Sequence, residues 1–190
     1  HTGLTKEGRR MDIDEYIGYY RRIVSDQTCR YLQSVETYNW KTSTYSNHSG
    51  KVKSEKRVQM DETWVRQGDS GYNQIKESFE KVIKLYSTDF PLFSVQRTTD
   101  FRINRYNEGG FMSSHVDNIH HSHGQQYGYP QVTALLYLND DYEGGVFKVA
   151  DKTVYPEKGS AIIFPSNFMF PHEAGVVTKG TRWSIVTWLM

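Results

Sequence analysis

The chain has 190 residues, 37% of them hydrophobic and 14% aromatic, with a formal net charge of +1. That length and apolar content suit one packed domain, and the charge balance excludes the broad basic field of a nucleic-acid binder. A single cysteine, Cys29, excludes an internal disulfide framework and a cysteine-built zinc site.

No apolar run approaches the roughly 18 residues of a membrane span, and no signal peptide is visible. The expected setting is therefore reducing and cytoplasmic, with no membrane partner. Cys29 is expected to be a small buried hydrophobe inside a helix. Asn47-His48-Ser49 fits a glycosylation acceptor, but carries little weight without a secretory signal.

Residues 1–10 are polar and basic. From Met11 to Val24 aromatic and aliphatic residues mix without separating helix from strand. Ser25 or Asp26 is predicted as an N-cap, opening a helix through Cys29, Leu32 and Val35. Residues 40–70 read as loops with one edge strand, and Lys51, Lys53, Lys56 and Arg57 as a solvated face. The spacing of Ile75, Phe79, Val82, Ile83 and Tyr86 predicts an amphipathic helix across about 72–88, with Pro91 just beyond its end.

After residue 95 short alternating segments appear at 98–106, 110–117, 131–138, 145–150, 160–164, 168–173 and 181–189. They are separated by turn residues such as Asn107-Glu108-Gly109-Gly110 and Glu143-Gly144-Gly145. The pattern predicts a mainly β fold with N-terminal helices (α+β), a sandwich or jelly roll behind a helical layer. The chain reads as a single domain over 1–190. In it, 1–94 supplies helical support and substrate-covering loops, and 95–190 supplies the β core.

His115-Val116-Asp117 places a histidine and a carboxylate two residues apart. His172 follows three predicted strands later, and Arg182 and Trp188 lie on the last strand. Two imidazoles and one carboxylate can cap one face of an octahedral metal, the arrangement of non-haem Fe(II) oxygenases. A lone His-x-Asp is weak and by itself fits a polar loop; the ordered set carries the reading. Strand alternation puts Arg102, Asn104 and Tyr106 on one face, Thr133, Leu135 and Tyr137 on another, and Arg182, Ser184, Val186 and Trp188 on a third. Burying Arg182 is costly unless it is paired, and no acidic residue shares its strand face. The far carboxylate of a 2-oxoacid, held bidentately beside a tyrosine hydroxyl, would satisfy it.

Segment 101–190 resembles the prolyl 4-hydroxylase-like branch of the Fe(II)/2-oxoglutarate dioxygenases. The likeness runs through FRINRYNEGGFMSSHVDN, TALLYLNDDYEGGVF, VYPEKGSAIIFPS and PHEAGVVTKGTRWSIVTWL. IVSDQTCRYL looks loosely like the helix that precedes the barrel there. The resemblance implies a double-stranded β-helix (jelly roll, cupin-like) with His115, Asp117 and His172 as Fe(II) ligands. It places Tyr106, Tyr137 and Arg182 against 2-oxoglutarate, with Trp188 lining its pocket. Collagen-type members usually carry Lys where Arg182 stands, while others carry Arg. Related halogenases replace the carboxylate at the position of Asp117 with a small residue, so halogenation is disfavoured.

The implied reaction consumes 2-oxoglutarate and O2, releases succinate and CO2, and converts a C–H bond to an alcohol, with ascorbate as an expected accessory. His115, Asp117, His172 and Arg182 are the residues that carry it. The expected substrate is a prolyl residue in a peptide or protein. The alternatives are a free amino acid or another small substrate, or an inert metal-binding jelly-roll module; a nucleic-acid partner is disfavoured. Arg102 and Asn104 are the candidates for substrate contact, set against simple pairing with a nearby acid. Asn118 is a candidate brace for Asp117. His120, His121 and His123 are expected in an exposed loop.

Overall fold

The computed structural model describes residues 13–43, 57–118 and 129–190. A single 3-10 turn, Ile13–Tyr16, leads into β1 (Gly18–Tyr20), α1 (Asp26–Ser34), β2 (Lys41–Thr42), β3 (Val58–Gln59), β4 (Asp61–Val65) and α2 (Tyr72–Asp89). Ten more strands follow: β5 (Phe101–Tyr106), β6 (Phe111–His115), β7 (Val132–Tyr137), β8 (Glu143–Gly144), β9 (Phe147–Val149), β10 (Lys152–Val154), β11 (Ala161–Pro165), β12 (His172–Ala174), β13 (Val177–Lys179) and β14 (Arg182–Leu189). All strand pairs among the described residues are antiparallel. The fold is mainly antiparallel β with two α-helices.

The strands form a seven-stranded sheet in the order β1-β11-β7-β14-β5-β4-β2, a five-stranded sheet in the order β10-β9-β12-β6-β3, and the small pair β13-β8. Period-two alternation divides the core between the two faces of the larger sheet. Ala134, Leu136, Ile163, Ile185 and Leu189 point to the helical side with Leu32, Ile75, Phe79 and Val82. Leu135, Tyr137, Ile162, Phe164, Val186 and Trp188 point the other way, onto Phe147, Val149 and Phe170. Both faces are covered, so β7 is buried at every residue, and its sequence VTALLY shows no polar alternation.

The helices form where expected. The Ser25 hydroxyl accepts a hydrogen bond from the Thr28 N–H at 3.1 Å and caps α1. Val35 is the C-cap, so the helix stops one residue short of it. In α2 the buried residues Ile75, Ser78, Phe79, Val82 and Tyr86 make the stripe that lies on the sheet. Gly71 precedes it at φ 85°, where an added Cβ would come within 2.5 Å of Leu32. No helix among the described residues is long and apolar enough to cross a membrane.

Several sequence expectations are corrected. The segment 40–70 holds three strands where one edge strand was expected: β2 and β3 are sheet edges, and β4 lies inside the larger sheet between β5 and β2. Its alternating TWV core is short and flanked by charge, so it looks like loop. The ambiguous 11–24 stretch contains β1, which pairs Gly18, Tyr19 and Tyr20 with Ile163, Ile162 and Ala161. The expected strand 168–173 is displaced: residues before His172 turn, and the strand runs His172–Ala174. β6 ends at His115, so Asp117 lies beyond the strand that was expected to reach it. Lys51, Lys53 and Lys56, with His1, His48, His120, His121 and His123, lie outside the described residues.

Phe79, 1% exposed and stacked 5.4 Å from Phe101, anchors α2 to the sheet. Phe79→Ala is expected to lower unfolding stability by about 3–5 kcal/mol. Denaturant melts of the variant, read as a lower midpoint at unchanged slope, check this.

Candidate metal centre

β6 and β12 run side by side, and His115 and His172 are Cα partners across the ladder. The two rings lie 4.3 Å apart between centroids. After His172 the register shifts, so that Ala174 faces Met112; such an irregularity re-aims the side chains next to it. Asp117 arrives from the turn after β6. That turn is tied to the larger sheet by the Asn118 N–H, which donates to the Ser166 carbonyl at 3.0 Å.

His115 Nε2 lies 3.3 Å from Asp117 Oδ1, and His172 Nε2 lies 3.3 Å from Asp117 Oδ2. The three donor atoms fall within 4.8 Å of one another. An octahedral ion about 2.1 Å from each donor sets neighbouring donors about 3.0 Å apart, close to these spacings. Each imidazole uses its other nitrogen locally. His115 Nδ1 donates to the Ser113 carbonyl at 2.8 Å, and His172 Nδ1 donates to the Phe170 carbonyl at 3.2 Å. A carbonyl can only accept, so Nδ1 carries the proton and the neutral ring presents the Nε2 lone pair to the site. Fe(II) is the ion that this donor set suits, and the fit is direct.

The charges agree with that role. Burial would raise the Asp117 pKa, but the two imidazoles hold it well below the usual carboxylate range. Burial would lower the His115 pKa, and the Asp117 carboxylate outweighs it, so the ring is shifted upward. The Thr133 hydroxyl donates to Asp117 Oδ2 at 2.7 Å, and Ser166 Oγ lies 2.7 Å from Thr133 Oγ1. Thr133 has one proton and gives it to the carboxylate, so Ser166 is the donor to Thr133. This pair is the brace for Asp117. Asn118, expected in that role, sends its side-chain amide to the Pro130 carbonyl at 3.0 Å instead.

Arg182 lies on the same cavity at 1% exposure. Its guanidinium sits 4.9 Å from the Tyr106 ring centroid and 5.2 Å from that of Tyr137. It donates to the Tyr137 hydroxyl at 3.5 Å, a long contact, and its Nε has no partner. Among the described residues no carboxylate is within ion-pair reach of it. Burial would lower its pKa, but the surrounding phenols of Tyr137, Tyr106 and Tyr142 leave it shifted upward, so it stays charged. Gly145, at φ 59°, passes against it; a Cβ there would meet Arg182 Cδ at 3.1 Å.

The cavity is also lined by Arg102, Asn104, Tyr106 and Trp188, and Tyr137 reaches it through Arg182. Eight of the nine residues selected from the sequence line this cavity, and the ninth, Tyr137, lies behind it against Arg182. Sequence reasoning missed Thr133 and Ser166 as the carboxylate brace, although Thr133 had been put on the inward face of its strand. It also missed Glu62 and Trp64 of β4, which flank Arg102.

Thr133→Val keeps the shape of the side chain and removes the hydrogen bond to Asp117. Fe(II) affinity is expected to fall about 10- to 100-fold, while Asn118→Ala leaves it nearly unchanged. Anaerobic metal titrations of the two variants against the parent protein compare the braces.

Residues 101–190 match the family described as the 2OG-Fe(II) oxygenase superfamily. Human prolyl 3-hydroxylase 2 is 38% identical over 69 residues, which cover 33% of this chain and 10% of that protein. The chain thus spans about a tenth of the length of the curated relatives it matches. Among solved structures, the viral collagen prolyl hydroxylase of Paramecium bursaria chlorella virus-1, in a 2-oxoglutarate complex, superposes with a TM-score of 0.69. It shares 16% identity and covers 92% of this chain and 95% of its own. A Trichoplax adhaerens prolyl hydroxylase, bound to a hypoxia-inducible-factor degradation-domain peptide, gives a TM-score of 0.66 at 17% identity, covering 93% and 84% of the two chains. The segment that matches the 2OG-Fe(II) oxygenase superfamily, residues 101–190, is the one that carries His115, Asp117 and His172 with their donor atoms brought together.

Proposed function

We propose that this chain is a dioxygenase that uses Fe(II) and 2-oxoglutarate to hydroxylate a C–H bond of a prolyl residue in a peptide or protein. In balance, substrate, 2-oxoglutarate and O2 become hydroxylated product, succinate and CO2. The observation that carries the reading is Arg182: a buried cation without a counter-charge among the described residues, on the wall of a cavity that also holds the metal triad. A merely metal-binding module has no use for it. A dicarboxylate would supply the missing counter-charge, beside the residues that would hold the metal.

In this reading the two sheets and the β13-β8 pair form one double-stranded β-helix, and the whole chain acts as a single domain whose first half covers the site. The match to prolyl hydroxylase structures across most of the chain supports that shape. His115, Asp117 and His172 would hold the iron. Arg182 fixes the distal carboxylate of 2-oxoglutarate, with the phenols of Tyr106 and Tyr137 beside it and Trp188 closing the pocket. Arg102 and Asn104 face the substrate. The bound iron and 2-oxoglutarate supply the oxidative chemistry; the protein binds, orients and excludes water. No side chain is needed as general base.

The prolyl assignment draws on the company the chain keeps. Its curated relatives are prolyl 3-hydroxylases, and its structural neighbours are prolyl hydroxylases, one with a bound peptide.

Arg182→Ala is expected to weaken 2-oxoglutarate binding by about 100-fold or more while sparing most Fe(II) affinity. Unchanged co-substrate affinity removes the clamp assignment. Asp117→Ala is expected to lose metal and succinate release together, and persistence of both refutes the triad. Incubation with Fe(II), ascorbate, O2 and 2-oxoglutarate, with prolyl peptides set against free amino acids, tests the substrate. Gain of one oxygen by a peptide, read by mass spectrometry, is the expected result.

A further inference from the structure

Three neighbouring strands build a defined setting around Arg102. Its Cα partners are Trp64 on β4 and Val186 on β14, and Glu62 and Trp188 lie two residues away along those strands, on the same face. The guanidinium carbon is 4.9 Å from the Trp188 ring centroid and 5.9 Å from that of Trp64. The one carboxylate at Arg102 among the described residues is Glu62, at 3.6 Å from Nη1. That separation balances charge without making a hydrogen bond. Arg102 Nε is buried and has no partner. Two residues along the same face Asn104 is 2% exposed, and its Oδ1 is also buried without a partner.

The two arginines of the cavity therefore lack different things. Among the described residues Arg182 lacks a counter-charge, which a carboxylate supplies. Arg102 has a counter-charge and lacks an acceptor. A second carboxylate on it would face Glu62 across one guanidinium, and like charges so placed are repelled. A neutral carbonyl oxygen adds the missing acceptor with no added charge. The amide plane that bears it can lie against the indole faces, and an amide N–H can serve Asn104 Oδ1.

We propose that Arg102 is a specificity-determining residue that receives a neutral carbonyl oxygen of the substrate, with Glu62 as its positioning residue. The cavity then selects an amide-bearing substrate over one that offers a free carboxylate at that place. This rests on the oxygenase reading above and sharpens its substrate class.

Calorimetric titration without O2, on the full chain loaded with Fe(II) and 2-oxoglutarate, tests it. The probes are a mixed set of blocked prolyl tripeptides, acetylated and amidated at their ends, and free L-proline. The parent protein is expected to bind the blocked peptides more tightly than L-proline. Arg102→Met is expected to weaken peptide binding about 10- to 100-fold, with the 2-oxoglutarate Kd little changed. Arg102→Lys does not restore it, because an ammonium cannot lie flat on the indole. Glu62→Gln is expected to weaken peptide binding by a smaller factor and to tighten L-proline binding. Opposite signs of that kind do not come from misfolding. Tighter binding of L-proline by the parent protein, binding of neither probe, or an unchanged peptide Kd in Arg102→Met overturns the proposal. Failure of the parent protein to bind 2-oxoglutarate is a separate result and overturns the oxygenase reading itself.

Discussion

The site depends on one register. His115 and His172 face each other because β6 and β12 pair with those two residues opposite. Side chains alternate along a strand, so a slip of one residue would send one imidazole to the far side of the sheet. The ladder continues on both flanks, with Val149 of β9 opposite His172 and Val58 of β3 opposite Met112. The register is thus held by packing on either side of the pair. The third ligand is not on the ladder at all. It comes from a turn fastened to the other sheet through Ser166, so the triad spans the gap between the two layers and is set by how they stack.

Electrostatically the cavity is arranged as a row of unequal needs. Asp117 is fully served, by two imidazoles, Thr133 and, behind it, Ser166. Elsewhere on the same cavity Arg182 is enclosed by rings and phenols that cushion its charge without neutralising it. Asn104, on the cavity, and its cross-strand partner Ser184 on β14 each bury an oxygen with no partner. Buried polar atoms in a folded core are nearly always paired, so such a concentration of unpaired ones marks a place that is completed by something else.

Much of this was legible in the sequence because the β core obeys simple rules. Alternation in FRINRY, TALLY and RWSIVTWL assigned faces correctly, and that was enough to bring Arg102, Tyr106, Arg182 and Trp188 to one cavity, with Tyr137 against Arg182. The α2 stripe and the Ser25 cap were equally clear. What was not legible depended on contacts between distant segments. β1 has three residues, and only pairing with β11 distinguishes it from coil. β4 carries Asp61 and Glu62 beside Trp64, a polar look that arises because these residues meet Arg105 and Arg102 across the sheet. The expected Asn118 brace failed for a similar reason. Nearness in sequence to Asp117 suggested it, whereas the actual donor, Thr133, comes from a strand in the opposite layer.

The short strand β1 has a further meaning for the larger sheet. It occupies the outer flank of β11, and it is fastened there by side chains as well as by the ladder: Tyr20 donates to Asp89 at the end of α2, and the Tyr19 hydroxyl accepts from the Glu157 N–H. Ile23 and Val24 then donate their N–H groups to the Gly159 carbonyl. Without this stretch the hydrophobic strand AIIFP would present a bare row of amides and carbonyls to any extended chain nearby, an invitation to self-association. Truncation or fusion design should accordingly leave Gly18–Val24 in place, and sticky oligomers would be the signature of losing it.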